Sequence, residues 1–112
     1  MQRRFVLFSL LFLAGVASIA ALVGGWKPIA NVNDSHVQEI GKYAVSEYNK
    51  RSKADLKFKG VVKGESQVVS GIKYRLVVAV KDATATKNYE AVVWEKAWLN
   101  YRNLTSFEPL GH

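Results

Sequence analysis

The chain has 112 residues, 49% of them hydrophobic and 22% charged, which allows one small globular domain and excludes a disordered chain. Its formal charge is +7, but the lysines lie singly, without the cluster that a nucleic-acid tract would need. No cysteine is present, so stability must come from helix and sheet burying their apolar faces, in a domain that is marginal by its size.

In chain order, Arg3 and Arg4 precede an apolar run from Phe5 to Leu13, followed by small residues through Ala21. These are the three regions of a secretory signal peptide. Residues 1–21 are therefore expected to be removed, with cleavage near 20–23, and residues 22–112 to form the mature domain. The alternative is a membrane anchor, but glycines and alanines dilute the run. Removal of the leader lowers the charge by two and sends the chain to the secretory pathway, extracellular or vacuolar, with no membrane attachment left.

Leu22 to Val32 contains Gly24, Gly25 and Pro28 and predicts no regular structure. Val37, Ile40, Gly41, Ala44, Val45 and Tyr48 then recur at helical spacing, with Gln38, Glu39, Lys42, Ser46, Glu47 and Asn49 on the other side. This predicts an amphipathic helix of about four turns. Asp34 or Ser35 can cap it, and Gln38 stands three residues after Ser35, as a capping box requires. From Asp55 onward the pattern becomes that of strands. Gly60 invites a bulge, Val61 to Val69 leads into a turn at Gln67-Val68-Val69-Ser70-Gly71, and a second strand runs from Ile72 to Lys81. Its residues Tyr74, Leu76, Val78 and Val80 face the helix, while Lys73, Arg75, Val77, Ala79 and Lys81 meet solvent. Asp82 to Asn88 reads as a loop, Tyr89 to Lys96 as a strand, and Ala97 to Asn100 as a turn. Tyr101 to Leu110 is a last strand that Pro109 confines to an edge. One helix followed by four or so antiparallel strands is an α+β domain.

The supply of catalytic groups is thin. Of the two histidines, His36 reads as a surface residue in the first helical turn and His112 ends the chain. No metal-ligand set and no carboxylate motif appears, so neither an enzyme, a metal site nor a cofactor is expected. Three tryptophans and five tyrosines accompany the basic charge, but most fall at core periodicity and no RNA-binding sheet motif is present, so nucleic acid is not an expected partner. What remains is a binding edge. In an antiparallel meander the first and third turns lie at the same end, which makes Gln67 to Gly71 a neighbour of Ala97-Trp98. Gly24-Gly25 reaches that end if the N-terminal stretch pairs beside the sheet.

These residues resemble the plant cystatins along essentially the whole mature chain. Ile40-Gly41-Lys42-Tyr43-Ala44-Val45-Ser46-Glu47-Tyr48-Asn49 is similar to the helix signature of the plant branch, and Gln67-Val68-Val69-Ser70-Gly71 to the family's Gln-x-Val-x-Gly first binding loop. Gly24-Gly25 is similar to the N-terminal trunk. Trp98 stands where the family has its second-loop tryptophan, with Ala97 in place of the usual proline. The resemblance implies an antiparallel sheet of four or five strands wrapped around one long helix. It also implies a plant-defence protein that is a reversible, tight-binding inhibitor of papain-like cysteine proteases and mostly a monomer. In that picture Leu22 and Val23 lie along the non-primed subsites, Gln67 to Gly71 passes over the catalytic thiol, and Trp98 packs on the primed side. The alternative is a secreted binding module of the same fold without protease inhibition. Asn33 and Asn103 each open an Asn-x-Ser/Thr sequon and are candidate glycosylation acceptors.

Overall fold

The computed structural model describes residues 25–111, so the expected leader and the trunk residues Leu22, Val23 and Gly24 lie outside it. Within it, the apolar stripe Val37, Ile40, Ala44 and Val45 becomes one face of helix α1 (Ser35–Ser52). Its 18 residues make about five turns, one more than the apolar pattern predicts. Asp34 is the N-cap, its carboxylate accepting from the backbone N–H of His36 (3.1 Å) and Val37 (3.3 Å). The predicted capping box does not form. Gln38 instead donates to the Val32 carbonyl at 2.6 Å and accepts from the Val61 N–H at 3.1 Å, joining the helix to the chain on both sides of it.

The sheet has five strands in the sequential order β1 (Lys27–Pro28), β2 (Lys57–Val69), β3 (Gly71–Lys81), β4 (Thr86–Lys96) and β5 (Tyr101–Pro109), all antiparallel. The N-terminal stretch is thus not wholly irregular, because Lys27 and Pro28 pair with Ser66 and Glu65. β2 slips register between Phe58 and Gly60, the bulge expected at that glycine, and again between Val61 and Val62–Lys63. Both bulges bend β2 over the helix. The predicted loop from Asp82 to Asn88 contracts to residues 82–85. Asp82 accepts from the N–H groups of Thr84 and Ala85, each at 2.8 Å, and pairs with Lys87 at 2.8 Å, which frees residues 86–88 to join the ladder. The Lys87 contact and these turn hydrogen bonds hold the Asp82 carboxyl well below the usual range.

Tyr74, Leu76, Val78 and Val80 of β3, Ala91 and Val93 of β4, Leu104 of β5 and Val61 of β2 bury against the helix. Each such valine or leucine side chain contributes about 1.5–3 kcal/mol. At Gly41 the helix lies close against β2, since a Cβ there would lie 2.5 Å from Val61 Cγ2. Asn49 clasps Leu56 through two hydrogen bonds, at 2.9 and 3.0 Å, and fixes the path from helix to β2. Tyr43 and Arg51 donate to the Arg102 and Leu104 carbonyls of edge strand β5. Two expectations fail. Val77 on the outward face is buried, lying in register between Lys63 and Glu90, whose long side chains can cover it. Core periodicity holds for Tyr43, Tyr48, Tyr74 and Tyr89, but none of the three tryptophans belongs to the core.

Candidate functional site: the two-loop edge

Successive strands reverse direction, so the β2–β3 turn and the β4–β5 connection sit at one end of the sheet. At the first, Val69 pairs with Gly71 and Ser70 forms the tip. Val68 is 73% exposed, and Val69 and Ile72 are exposed beside it. The second is a 3₁₀ turn, Ala97–Leu99, closed by a left-handed Asn100 whose N–H donates to the Ala97 carbonyl at 3.0 Å. Trp98 is 65% exposed and Leu99 60%. Val68, Val69, Ile72, Trp98 and Leu99 thus gather large exposed apolar side chains at this end of the sheet. The register of β1, Lys27 with Ser66 and Pro28 with Glu65, directs the chain before Lys27 along β2 toward the same tip. Trp26 stacks under the Arg75 guanidinium, 4.4 Å from its ring centroid, and Arg75 is ion-paired to Glu65.

The first loop touches the end of β4 that leads into the second. Trp94 Nε1 donates to the Ser70 carbonyl at 2.7 Å. Gly71 adopts φ +93°, a conformation open to glycine, and its α-carbon lies so close to the Glu95 carbonyl that an added Cβ would press into it. Glu95 turns its side chain inward, and the residue is 8% exposed. His36 Nε2 lies 2.7 Å from its Oε1 and Arg102 Nε donates to its Oε2 at 2.9 Å, while Arg102 Nη2 also reaches Glu39 at 2.9 Å. Burial pushes the Glu95 carboxyl up, but His36 and Arg102 outweigh it and hold the group below its usual range. Burial, then the charge and hydrogen bond of Glu95, raise the Tyr74 hydroxyl. His36 is thus not the plain surface residue its position predicts. It is half-buried, ties the first helical turn to β4 and meets Tyr74 edge-on at 6.2 Å.

Of the predicted site residues within the structure, Gln67, Val68, Val69, Ser70, Gly71, Ala97 and Trp98 all fall at this edge, and Gly25 stands two residues before β1, whose register points toward it. Asn33 is exposed ahead of the helix cap; Asn103 is half-buried on β5, 3.5 Å from Arg51 Nη2. The supporting residues Trp94, Glu95, His36 and Arg102 escape a reading for motifs. A signal for one of them exists: Ala91 and Val93 alternate inward, so Glu95 takes the next inward position and a carboxylate there demands partners. Among the described residues no group of three or more His, Cys, Asp or Glu is arranged to hold a metal, and no helix is long and apolar enough to cross a membrane.

A family model described as an aspartic acid proteinase inhibitor, SQAPI, matches residues 29–110. Sequence relatives include cysteine proteinase inhibitor 5 of Arabidopsis thaliana, 64% identical over 94 residues, covering 83% of this chain and 77% of that one. Cysteine proteinase inhibitor 1 of Actinidia chinensis var. chinensis is 52% identical over 87 residues, covering 78% and 75%. Among solved structures, a salivary cystatin from the soft tick Ornithodoros moubata superposes with a TM-score of 0.68 over 79% of this chain and 98% of that one. Dimeric human cystatin F gives 0.67 over 80% and 88%. Both structures are 21% identical to this chain, a likeness that speaks for the fold alone.

Proposed function

We propose, since this chain belongs to the plant cystatins, a family of proteinase inhibitors and not of enzymes, that it inhibits papain-like cysteine proteases reversibly by lodging its two-loop edge in the active-site cleft. The observation that carries the reading is that the Gln67–Gly71 turn and exposed Trp98 lie at one end of the sheet, toward which the register of β1 directs the chain at Gly25. A wedge of this shape obstructs without reacting. The first loop lies across the catalytic thiol with Val68 and Val69 outward, while Gly24-Gly25 lets Leu22 and Val23 follow the non-primed side and Trp98 packs on the primed side. Trp98 is the hot spot of this interface, worth about 2 kcal/mol or more on truncation.

The sequence relatives and the family model point to two different protease classes. The cysteine class is favoured by the relatives, at 64% and 52% identity; the aspartic class rests on the description of the family model. Titration of papain and of pepsin with the mature protein separates them. The expected result is stoichiometric inhibition of papain, weakened at least about thirtyfold by Trp98→Ala and weakened again by removal of residues through Gly25. Full retention of papain inhibition in both variants would sink the wedge. Inhibition of pepsin alone would move the function to the aspartic class, and inhibition of neither would favour a binding module of the same fold. Entry into the secretory pathway, a role in plant defence, a monomeric state and glycan addition at Asn33 or Asn103 belong to the same reading. N-terminal sequencing, mass and elution volume of the protein secreted by plant cells test all but the defence role.

A further inference from the structure

We infer that Trp94 is a positioning residue that locks the two loops into one rigid edge. The inference rests on the reading above, in which both loops enter a single cleft. Trp94 sits on the outward face of β4, opposite Asn103 and outside the core. Its indole N–H donates to the carbonyl of Ser70, the residue at the tip of the first loop. Its ring carries the Lys96 ammonium 4.3 Å from the centroid and meets the Tyr101 ring edge-on at 6.2 Å and 89°. Lys96 immediately precedes the 3₁₀ turn of the second loop and Tyr101 opens the strand after it. One side chain therefore touches the tip of the first loop and both shoulders of the second. Lys73, paired with Gln67 at the base of the first loop, lies over the same ring at 5.4 Å.

The physical need follows from the topology. The two turns belong to different hairpins, and beyond the last β3–β4 pair, Ile72 with Glu95, no ladder joins their tips. Tips that move independently must be ordered together on binding, which costs affinity; a cross-link made in the free protein removes that cost beforehand. The indole is suited to the task because it supplies a donor that reaches over the strand and a flat, stiff face on which two flexible lysine stems settle.

The test uses the mature protein and the variant Trp94→Phe, which keeps an aromatic ring and removes the donor. In the free protein, the Trp94 indole proton should exchange with solvent at least about tenfold more slowly than that of exposed Trp98. In the variant, the Gly71 and Ile72 amides should exchange faster while those of Val78 and Val93 do not change, and papain inhibition should weaken about five- to tenfold. Equal exchange of the two indole protons would overturn the inference. So would a variant with unchanged loop exchange and unchanged inhibition, or one whose exchange accelerates uniformly over the sheet, the mark of a residue that only stabilises the fold. If the unmodified protein fails to inhibit papain, the inhibitory reading falls, and the exchange comparison, made without protease, still decides whether the brace exists.

Discussion

Gly71→Ala tests whether the first loop rests on β4 as described. The backbone at Gly71 has φ +93°, where an L-residue with a Cβ is strained by about 1–2 kcal/mol. The new methyl would also press into the Glu95 carbonyl and lie 3.0 Å from Lys96 Cγ and 3.2 Å from the Glu95 carbonyl carbon. The lysine stem can swing away. The carbonyl is held in the β3–β4 ladder, where Ile72 pairs with Glu95, so the ladder must open there at a further cost of about 0.5–1.5 kcal/mol. The sum is about 1.5–3.5 kcal/mol, a fall in melting temperature of about 6–28 °C for a domain of this size. Circular dichroism melting measures it directly, and papain titration well below the transition should show inhibition weakened at least about tenfold, because the loop tip must move away from Trp94. A variant that melts within about 2 °C of the parent would refute the close approach of Gly71 to β4.

Two further substitutions probe the support of the second loop. Glu95→Gln removes a buried charge held by His36 and Arg102, with Glu39 and Tyr74 alongside, and should cost about 1–3 kcal/mol at neutral pH. The Glu95 carboxyl is depressed below its ordinary value of 4.5, so its contribution is fully present above that value and is lost as pH falls through the folded-state value. Urea unfolding of both proteins should show the gap between them narrowing below about pH 4, and a gap that stays constant down to pH 3 would contradict the ion network. Ala97→Pro should be accommodated, because Lys96 before it is already extended at φ −123°, ψ 94° and Ala97 opens a 3₁₀ turn whose φ suits proline. A stiffer loop should tighten papain inhibition about two- to fivefold, and weaker inhibition would show that the Ala97 backbone does not take that conformation.

Much of the architecture is legible in the chain because periodicity is a local property. The stripe Val37, Ile40, Ala44 and Val45 specifies a helix, and the alternation of Tyr74, Leu76, Val78 and Val80 specifies a half-buried strand. The elements misjudged are those whose state depends on a partner. Lys27 and Pro28 form a strand only because Ser66 and Glu65 lie beside them, and residues 86–88 extend β4 only because Asp82 closes the turn before them. Gln38, expected in a capping box, and Asn49, placed on the polar side of the helix, instead bind backbone across gaps of 23 and 7 residues.

The same division runs through the site. The order of glycine trunk, Gln67–Gly71 turn and Trp98 is written along the chain, and antiparallel reversal is enough to bring the two turns to one end. The sequence alone could not decide what holds them there. His36 counters Glu95 from 59 residues away, and Trp94 reaches Ser70 across 24. Such contacts depend on strand register and on the path of the helix over the sheet, and a slip of one residue would turn Glu95 to solvent and Trp94 into the core. The exposed loop residues follow from local chain chemistry; the rigidity with which they are presented comes from the folded neighbours beneath them.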